Sequence, residues 1–278
     1  MLDQSLIFVG AVFTLAGFAK GAIGLGLPTI AMGLLAIRMP PLEAAGILLL
    51  PSLITNLWQM LAGPALGGVV RRLWPMLLAV SIGTWAGLGL MTGASTRLGT
   101  AVLGVALALY AVSGLAALRL SVASAWQPMV SLPVGAFTGL ITAATGVFVI
   151  PAVPYLQSIG LEKDELVQAL GLSFTVSTVA LSINVMLEGG LQISMAADTV
   201  TALVLACAGM WMGRALRQRM SASTFRRCFF AALLMLGLYL AGAGFSDRGS
   251  PCGRHGGRTA LQPALARQLQ ASELNPAP

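Results

Sequence analysis

Residues 17–28 read GFAKGAIGLGLP, in which four glycines and a proline interrupt a long apolar stretch. Lys20 stands in this segment and is the only charged residue between Asp3 and Arg38. Glycine lets a chain leave the helical conformation, and proline is favoured in the first turn of a new helix. The segment therefore predicts a helix that breaks beside a single ammonium group.

The composition is that of a membrane protein. The 278 residues are 57% hydrophobic and 9% charged, with a mean hydropathy of +0.87. A soluble domain carries about 25% charged residues, so this chain has too few of them for a water-facing surface. The net charge of +7 does not indicate nucleic acid, because no basic stretch is interleaved with aromatic residues. We predict an all-α polytopic membrane protein with the lipid bilayer as its partner.

The hydropathy pattern predicts the membrane segments, since a spanning helix needs about 20 apolar residues. The apolar segments are 5–19, 29–38, 42–61, 74–92, 98–118, 128–144, 146–157, 166–187, 195–213 and 226–245. Two pairs, the first two segments and the pair 128–144 with 146–157, are too short or too closely spaced to cross alone. Each pair is either one broken helix that crosses or a hairpin that returns. We predict about eight membrane segments, the first of each half broken or re-entrant.

The two halves of the chain resemble each other. LEAAGILLLPSLITN (42–56) aligns with DELVQALGLSFTVST (164–178) at an offset of 122 residues, with an acidic residue opening each helix. Repeats with broken helices at matching positions are typical of secondary transporters. We predict a first transmembrane repeat over 1–122 and a second over 123–246. Gly, Pro, Arg and Gln dominate 247–278, which predicts a disordered polar tail.

The distribution of basic residues predicts the orientation. If both broken segments are hairpins, one side carries nine Lys and Arg and the other carries two, the tail excluded. If both segments cross, the split is eight against three. Either arrangement places the 214–227 loop in the cytoplasm, because cytoplasmic loops are rich in Lys and Arg. The hairpin arrangement leaves three crossings in each half and makes the repeats inverted.

Two interpretations of Lys20 stay open from the sequence. A cation at bilayer depth costs about 2.5–3.5 kcal/mol on insertion scales, so it faces a cavity or snorkels to the lipid headgroups. In the cavity interpretation, Gly21, Gly24 and Gly26 let the backbone approach a ligand, and the helix restarting at Pro28 points free N–H groups towards it. Such a pocket favours an anion. The alternative role of the glycines is close helix packing.

Polar side chains form one stripe on a helix in each half. The stripes are Ser52, Thr55, Asn56 and Gln59 in the first half and Ser173, Ser177 and Asn184 in the second. They either hold helices together or line a hydroxyl-rich site for an oxyanion, to which threonines around the second break would add donors. The predicted substrate-binding residues are Lys20, Gly21, Gly24, Gly26, Ser52, Thr55, Asn56, Thr142, Thr145, Ser173 and Ser177.

Enzymatic and metal chemistry have no support in the sequence. The motifs HExxH, GxSxG and GxxxxGK[ST] do not occur, and the single histidine, His255, lies in the polar tail. The three cysteines lack metal-site or disulfide spacing. We therefore predict no enzyme, no cofactor and no bound metal. Asp198 and Glu43 fit helix N-termini as well as proton exchange, so coupling to a proton or a sodium ion stays open.

Three stretches carry a family resemblance. GFAKGAIGLGLP, then PPLEAAGILLLPSLITNLWQ (40–59) and RRLWPMLLAVSIGTWAG (71–87), resemble the sulfite exporter TauE/SafE family of bacterial permeases. GAFTGLITAATGVFVIPAVPYLQSIG (135–160) is similar to the repeated glycine-rich opening segment of that family. The resemblance covers roughly 5–245. It implies a multi-pass inner-membrane protein with duplicated halves, associated with sulfite, sulfonates and related anions.

The resulting hypothesis is a duplicated α-helical permease that moves a small anion, a sulfur oxyanion, by alternating access. Lys20 would supply charge, the backbone of 21–26 would supply donors, and the polar stripes would complete the coordination. The alternative from another class is a non-transporting membrane scaffold or regulatory subunit, with its polar stripes packed together and no cavity. A third alternative is a passive anion channel. The sequence sets no oligomeric state.

Overall fold

The computed structural model describes residues 4–92, 96–116, 121–217 and 222–246, and the predicted tail lies outside them. Within these ranges the regular structure is helical throughout, with no strand. The helices are α1 (Gln4–Ile23), α2 (Leu27–Leu35), α3 (Pro41–Leu61), α4 (Leu66–Ala86), α5 (Thr96–Leu115), α6 (Gln127–Thr145), α7 (Ala152–Ser158), α8 (Lys163–Leu187), α9 (Ala196–Arg217) and α10 (Ala222–Ser246). Short 3-10 turns, Ser124–Trp126 and Ile193–Met195, precede α6 and α9.

The fold class is confirmed as an all-helical polytopic membrane protein. Among the described helices, seven are long and apolar enough to cross a membrane, and α5 adds a shorter apolar stretch, Gly99–Leu115. Large apolar side chains cover the outer surface of the bundle, as contact with lipid requires. The most exposed of them include Trp58, Phe137, Met186, Trp211 and Met235.

The first long segment of each half is longer than the hydropathy pattern predicts. The segments 5–19 and 128–144 are predicted to be too short or too closely spaced to cross alone, whereas α1 has 20 residues and α6 has 19. Only α2 and α7 are short, with nine and seven residues. The prediction fails for α1 because Lys20 stays inside the helix, where neighbouring side chains accept hydrogen bonds from its ammonium.

The two breaks have the same local geometry. Gly24 and Gly146 have positive φ angles of 80° and 69°, a conformation that ends a helix and that glycine adopts without strain. The Gly24 amide donates to the carbonyl of Lys20 at 2.7 Å, and the Gly146 amide donates to that of Thr142 at 2.8 Å. Both pairs are separated by the predicted offset of 122 residues, so Thr142 is the positional counterpart of Lys20.

Both broken segments are hairpins. The guanidinium of Arg38, after α2, lies 4.6 Å from the ring centroid of Phe8 near the start of α1. In the second half, the Tyr155 hydroxyl in α7 donates to the carbonyl of Gln127 at the start of α6, at 3.0 Å. Each short helix therefore returns the chain to the end of the bundle at which the preceding long helix began.

The helices of the two halves pack reciprocally. The most extensive contacts join α1 to α9 and α4 to α6. Gly17 lies against the backbone of Ala206, and Gly139, 122 residues later, lies against the backbone of Val80. A Cβ atom on either glycine would overlap that backbone. This crossed pairing is the arrangement expected of inverted repeats.

A second pair of glycines repeats the same contacts from the partner helices. Gly83 in α4 lies against the backbone of Ala136, and Gly209 in α9 lies against the backbone of Thr14. Thr14 and Ala136 are equivalent positions, since they are 122 residues apart. These glycines belong to the pentapeptides GTWAG (83–87) and GMWMG (209–213), a repeat that the sequence analysis missed. The described residues up to Phe245 form one compact unit, so the boundary between the repeats stays a prediction.

Helices α3 and α8 run antiparallel between the two hairpins. Near one end, Gly171 lies against the backbone of Met60, and near the other, Gly46 lies against the carbonyl of Gly190. Between these contacts the Asn56 side-chain amide donates to the Thr178 hydroxyl, at a donor–acceptor distance of 3.4 Å. The sequence alignment makes Asn56 and Thr178 equivalent. We infer that a pseudo-twofold axis passes between them.

Candidate functional site

Lys20 lies inside the bundle. Its side chain is 4% exposed, in the last turn of α1. The ammonium donates to the Thr55 hydroxyl at 3.0 Å and to the side-chain oxygen of Asn56. Snorkelling to headgroups is therefore wrong, since the side chain turns inward to α3. The described residues offer Lys20 neutral oxygen ligands and no carboxylate partner.

Both ligands of Lys20 are held in place by further hydrogen bonds. The Thr55 hydroxyl donates to the carbonyl of Pro51 at 2.7 Å, which leaves its lone pairs to face the ammonium. The Asn56 amide nitrogen donates to Thr178, so the amide oxygen faces Lys20. Thr178 in turn donates to the carbonyl of Phe174 at 2.7 Å. These hydrogen bonds fix the orientations of the Thr55 hydroxyl and the Asn56 amide, so that an oxygen of each faces the ammonium of Lys20.

The ammonium faces a cavity of about 640 Å³. Three cations line it, Lys20 from α1, Lys163 from α8 and Arg214 from α9, and none of its described lining residues is acidic. Gln59 and Gln157 add side-chain amides to the lining. Cations without carboxylates in a partly enclosed space give a positive potential that attracts anions.

The glycines of the first break have different roles from those predicted. Gly21 lines the cavity but stays helical, with its Cα against the backbone of Met210, so it serves close packing. Gly24 and Leu25 line the cavity at the break itself. Gly26 does not, because it lies against the ring of Phe229.

Both backbone groups of Gly24, at the break, are engaged in hydrogen bonds. The Gly24 amide bonds to the carbonyl of Lys20, so it is not the free donor that the sequence analysis predicts. Its carbonyl accepts from the side-chain amide of Gln59 at 3.3 Å, and the same amide donates to the carbonyl of Val167 at 3.1 Å. Gln59 therefore fixes the break between α3 and α8.

The threonines of the second break do not reach the cavity. The hydroxyls of Thr142 and Thr145 donate to the carbonyls of Thr138 and Ile141, each at 2.7 Å. A threonine inside a helix commonly bonds to the carbonyl four residues earlier, and that bond uses its proton. Among the described lining residues, the second half contributes the polar side chains of Gln157, Lys163 and Arg214 and no hydroxyl.

Three serines of the predicted stripes are buried without a partner. The hydroxyls of Ser52, Ser173 and Ser177 make no hydrogen bond within the part of the chain that the structure describes. Ser52 precedes the cavity-lining Thr55 by three residues on α3, and Ser173 follows the cavity-lining Leu170 by three residues on α8. Buried hydroxyls are normally satisfied, so these three lack the partners that such groups usually have, but none of them lines the cavity in this conformation.

The comparisons with known proteins bear on this cavity. The family described as Sulfite exporter TauE/SafE has a model that matches residues 9–240. The chain belongs to this family. Sulfite exporters of the TauE/SafE type are membrane transporters of sulfur-containing anions and not enzymes. Comparisons with curated proteins and with solved structures gave no match.

The TauE/SafE match runs from α1 into α10 and so includes every residue of the cavity. Four polar members of the lining, Gln59, Gln157, Lys163 and Arg214, are absent from the predicted substrate-binding set, although Gln59 belongs to the predicted α3 stripe. In the sequence, Lys163 and Arg214 stand out only as basic residues near the ends of apolar segments. Their local sequence gives no other signal, because the cavity exists only after α7, α8 and α9 have packed together.

Asn56→Asp is expected to weaken anion binding at least tenfold while the protein stays folded. The new carboxylate would pair with Lys20 and cancel the charge that an anion needs, and like charges opposed at a binding site cost several kcal/mol. Thermal shift of the purified protein with sulfite measures this effect. In a Lys20→Met background the second substitution should weaken binding much less, and equal losses in both backgrounds would contradict the pairing.

Proposed function

We propose that this protein is a secondary transporter that moves a small sulfur oxyanion, sulfite or a sulfonate, across the bacterial inner membrane by alternating access. The observation that carries the proposal is the buried ammonium of Lys20, held by neutral ligands at a cavity whose described lining contains no carboxylate. Ionisable residues inside membrane proteins typically mark substrate pathways.

Charge balance explains why the ligand would be an anion. Removing an ion from water costs several kcal/mol, and the hydroxyl and amide oxygens of Thr55 and Asn56 recover only part of this. An arriving anion supplies the missing opposite charge and gains charge-assisted hydrogen bonds from the ammonium. A carboxylate at either position would neutralise the charge of Lys20 permanently. The site would then have no unbalanced positive charge to attract an anionic substrate.

The unpartnered hydroxyls suit an oxyanion in particular. Sulfite and sulfonates carry three oxygens, each of which accepts hydrogen bonds. Ser52, Ser173 and Ser177 have protons to donate and belong to the same helix faces as the cavity lining. In the proposed transport cycle, the anion moves from Lys20 towards these serines as the site becomes occluded.

The basic residues support an orientation with the cavity open to the cytoplasm. Lys163 opens α8 and Arg214 lies near the end of α9, and both are exposed. Arg72 lies at the same end, where it donates to the carbonyl of Ile159 at 2.5 Å. The positive-inside rule assigns this end to the cytoplasm. At the opposite end, the carboxylate of Glu188 accepts from the amide of Gly89 at 2.8 Å and joins α8 to the loop after α4.

The scaffold alternative predicts dry polar stripes and no cavity. The cavity of about 640 Å³ and the three unpartnered serine hydroxyls favour the transporter instead. Some polar residues do serve packing, since Asn184 donates to the carbonyl of Thr84 at 2.7 Å. The stripes therefore divide into residues that join helices and residues that are free to bind a ligand.

Counterflow in proteoliposomes tests the proposal. Vesicles containing the purified protein and preloaded with unlabelled sulfite are expected to accumulate radiolabelled sulfite with saturable kinetics. Thermal shift with sulfite, methanesulfonate and acetate should show stabilisation by the sulfur oxyanions. Flux that never saturates would establish a channel, and the absence of both flux and stabilisation would leave only the scaffold.

A further inference from the structure

We propose that Lys163 and Arg214 form an outer anion site at the mouth of the cavity, which captures the substrate before it reaches Lys20. The proposal rests on the proposed function, because it assigns the first step of entry to the same pathway. The ligand is a small oxyanion such as sulfite. Gln157, from α7, supplies a neutral amide to the same mouth.

The helix contacts place the three cations in order of depth. Gly21, the neighbour of Lys20, lies against Met210 of α9, and Arg214 follows Met210 by four residues. Four residues are one helical turn, about 6 Å along the axis. Arg214 therefore lies about one turn closer to the mouth than Lys20.

Lys163 lies further out by the same reasoning. On α3, Gln59 is one turn beyond Thr55, the ligand of Lys20, and its amide donates to the carbonyl of Val167 at 3.1 Å. Lys163 precedes Val167 by four residues on α8. The path from Lys20 to Lys163 is therefore about two helical turns, about 12 Å, with Arg214 at an intermediate level.

The helix dipole does not favour a cation at the position of Lys163. It is the first residue of α8, where the positive end of the helix dipole disfavours a cation. Its acidic neighbours are used elsewhere: Glu162 and Glu165 form the capping box of α8, and Asp164 faces a separate hollow beside the α3–α4 loop. An anion held between Lys163 and Arg214 would offset the repulsion.

The solvent exposure of these two cations determines what they contribute. Both are exposed, and neither forms an ion pair with a residue in the described ranges. Exposed charges bind weakly, because water screens them. A mouth lined by one sign of charge nevertheless raises the local concentration and the arrival rate of anions, by roughly 10-fold to 1,000-fold. The outer site would set the entry rate, while Lys20 sets the affinity.

A matched pair of double variants tests the outer site in proteoliposomes. Lys163→Gln/Arg214→Gln removes both cations, whereas Arg71→Gln/Arg227→Gln removes two exposed arginines that do not line the cavity. The first variant is expected to lower kcat/KM for sulfite about tenfold at low ionic strength and about twofold or less in high salt, because exposed charges are screened. The control should stay within about twofold of the wild type.

Further comparisons separate the possible failures. The charge-preserving swap Lys163→Arg/Arg214→Lys should keep the wild-type rate, and its loss of activity would show that shape and not charge governs entry, which overturns the proposal. A Lys163→Gln/Arg214→Gln protein that matches the control, or a loss that is independent of salt, also overturns the outer site but leaves the transporter intact. A wild-type protein that carries no sulfite overturns the proposed function and the outer site together.

Discussion

Lys20→Met protein is expected to bind sulfite at least about thirtyfold more weakly than the wild type, and to carry no measurable sulfite flux. Truncating one partner of a buried charge interaction costs about 2–5 kcal/mol, and 2 kcal/mol is about thirtyfold. The fold should survive, because methionine fills the space of the lysine side chain as far as Cε and removes a charge whose burial is costly. Equilibrium binding and counterflow with the same preparation measure both effects.

The control for this experiment is Arg71→Met, which also replaces a cation by methionine but at an exposed position outside the cavity. It should leave affinity and flux unchanged. The thermal stability of Lys20→Met without ligand should equal or exceed that of the wild type, while the stabilisation by sulfite disappears. Unchanged affinity in Lys20→Met would remove the ammonium from the mechanism, whatever the stability of the variant.

The second large effect is expected at the contact between α1 and α9. Gly17→Ala should destabilise the protein by about 3 kcal/mol or more, because its Cβ would overlap the backbone of Ala206, which cannot move aside as a side chain can. Thermal unfolding in detergent should show a fall of about 6–12 °C in Tm. Gly139→Ala, at the equivalent contact with Val80, should show a loss of similar size.

Gly67→Ala is the matched control for these two variants. An added Cβ at Gly67 has no atom within 4 Å, so alanine should be neutral or slightly stabilising there. If Gly17→Ala is as stable as Gly67→Ala, the close contact between Gly17 and the backbone of Ala206 is contradicted. If Gly17→Ala is destabilising and Gly139→Ala is not, the two equivalent helix contacts do not contribute equally to stability. That result would contradict the structural equivalence of the two halves at these contacts.

The hydropathy pattern and the internal alignment predicted most of the fold. Segments rich in apolar residues became the long helices, and the alignment of 42–56 with 164–178 identified residues, Asn56 and Thr178, that contact each other. The length of α1 was not predictable in the same way. Lys20 looks like the end of an apolar segment, and the groups that stabilise it inside the helix lie 35 and 36 residues further along the chain.

The site was predictable where local spacing determines which way a side chain faces. The α3 stripe placed Thr55 and Gln59 on the cavity side of one helix. The stripe could not show that the hydroxyls of Thr142 and Thr145 bond to their own backbone, because that choice depends on whether a better partner is within reach. Likewise, the role of Gly21 depends on α9, which is almost 200 residues away in the chain.

Lys20 and Thr142 occupy equivalent positions in the two halves but differ in charge, so the two halves are not interchangeable. If the two hairpins exchange conformations during transport, the state open to the opposite side places a neutral hydroxyl where the present state has an ammonium. The two states then present different charges to an anion, so its affinity is expected to differ between the two sides of the membrane.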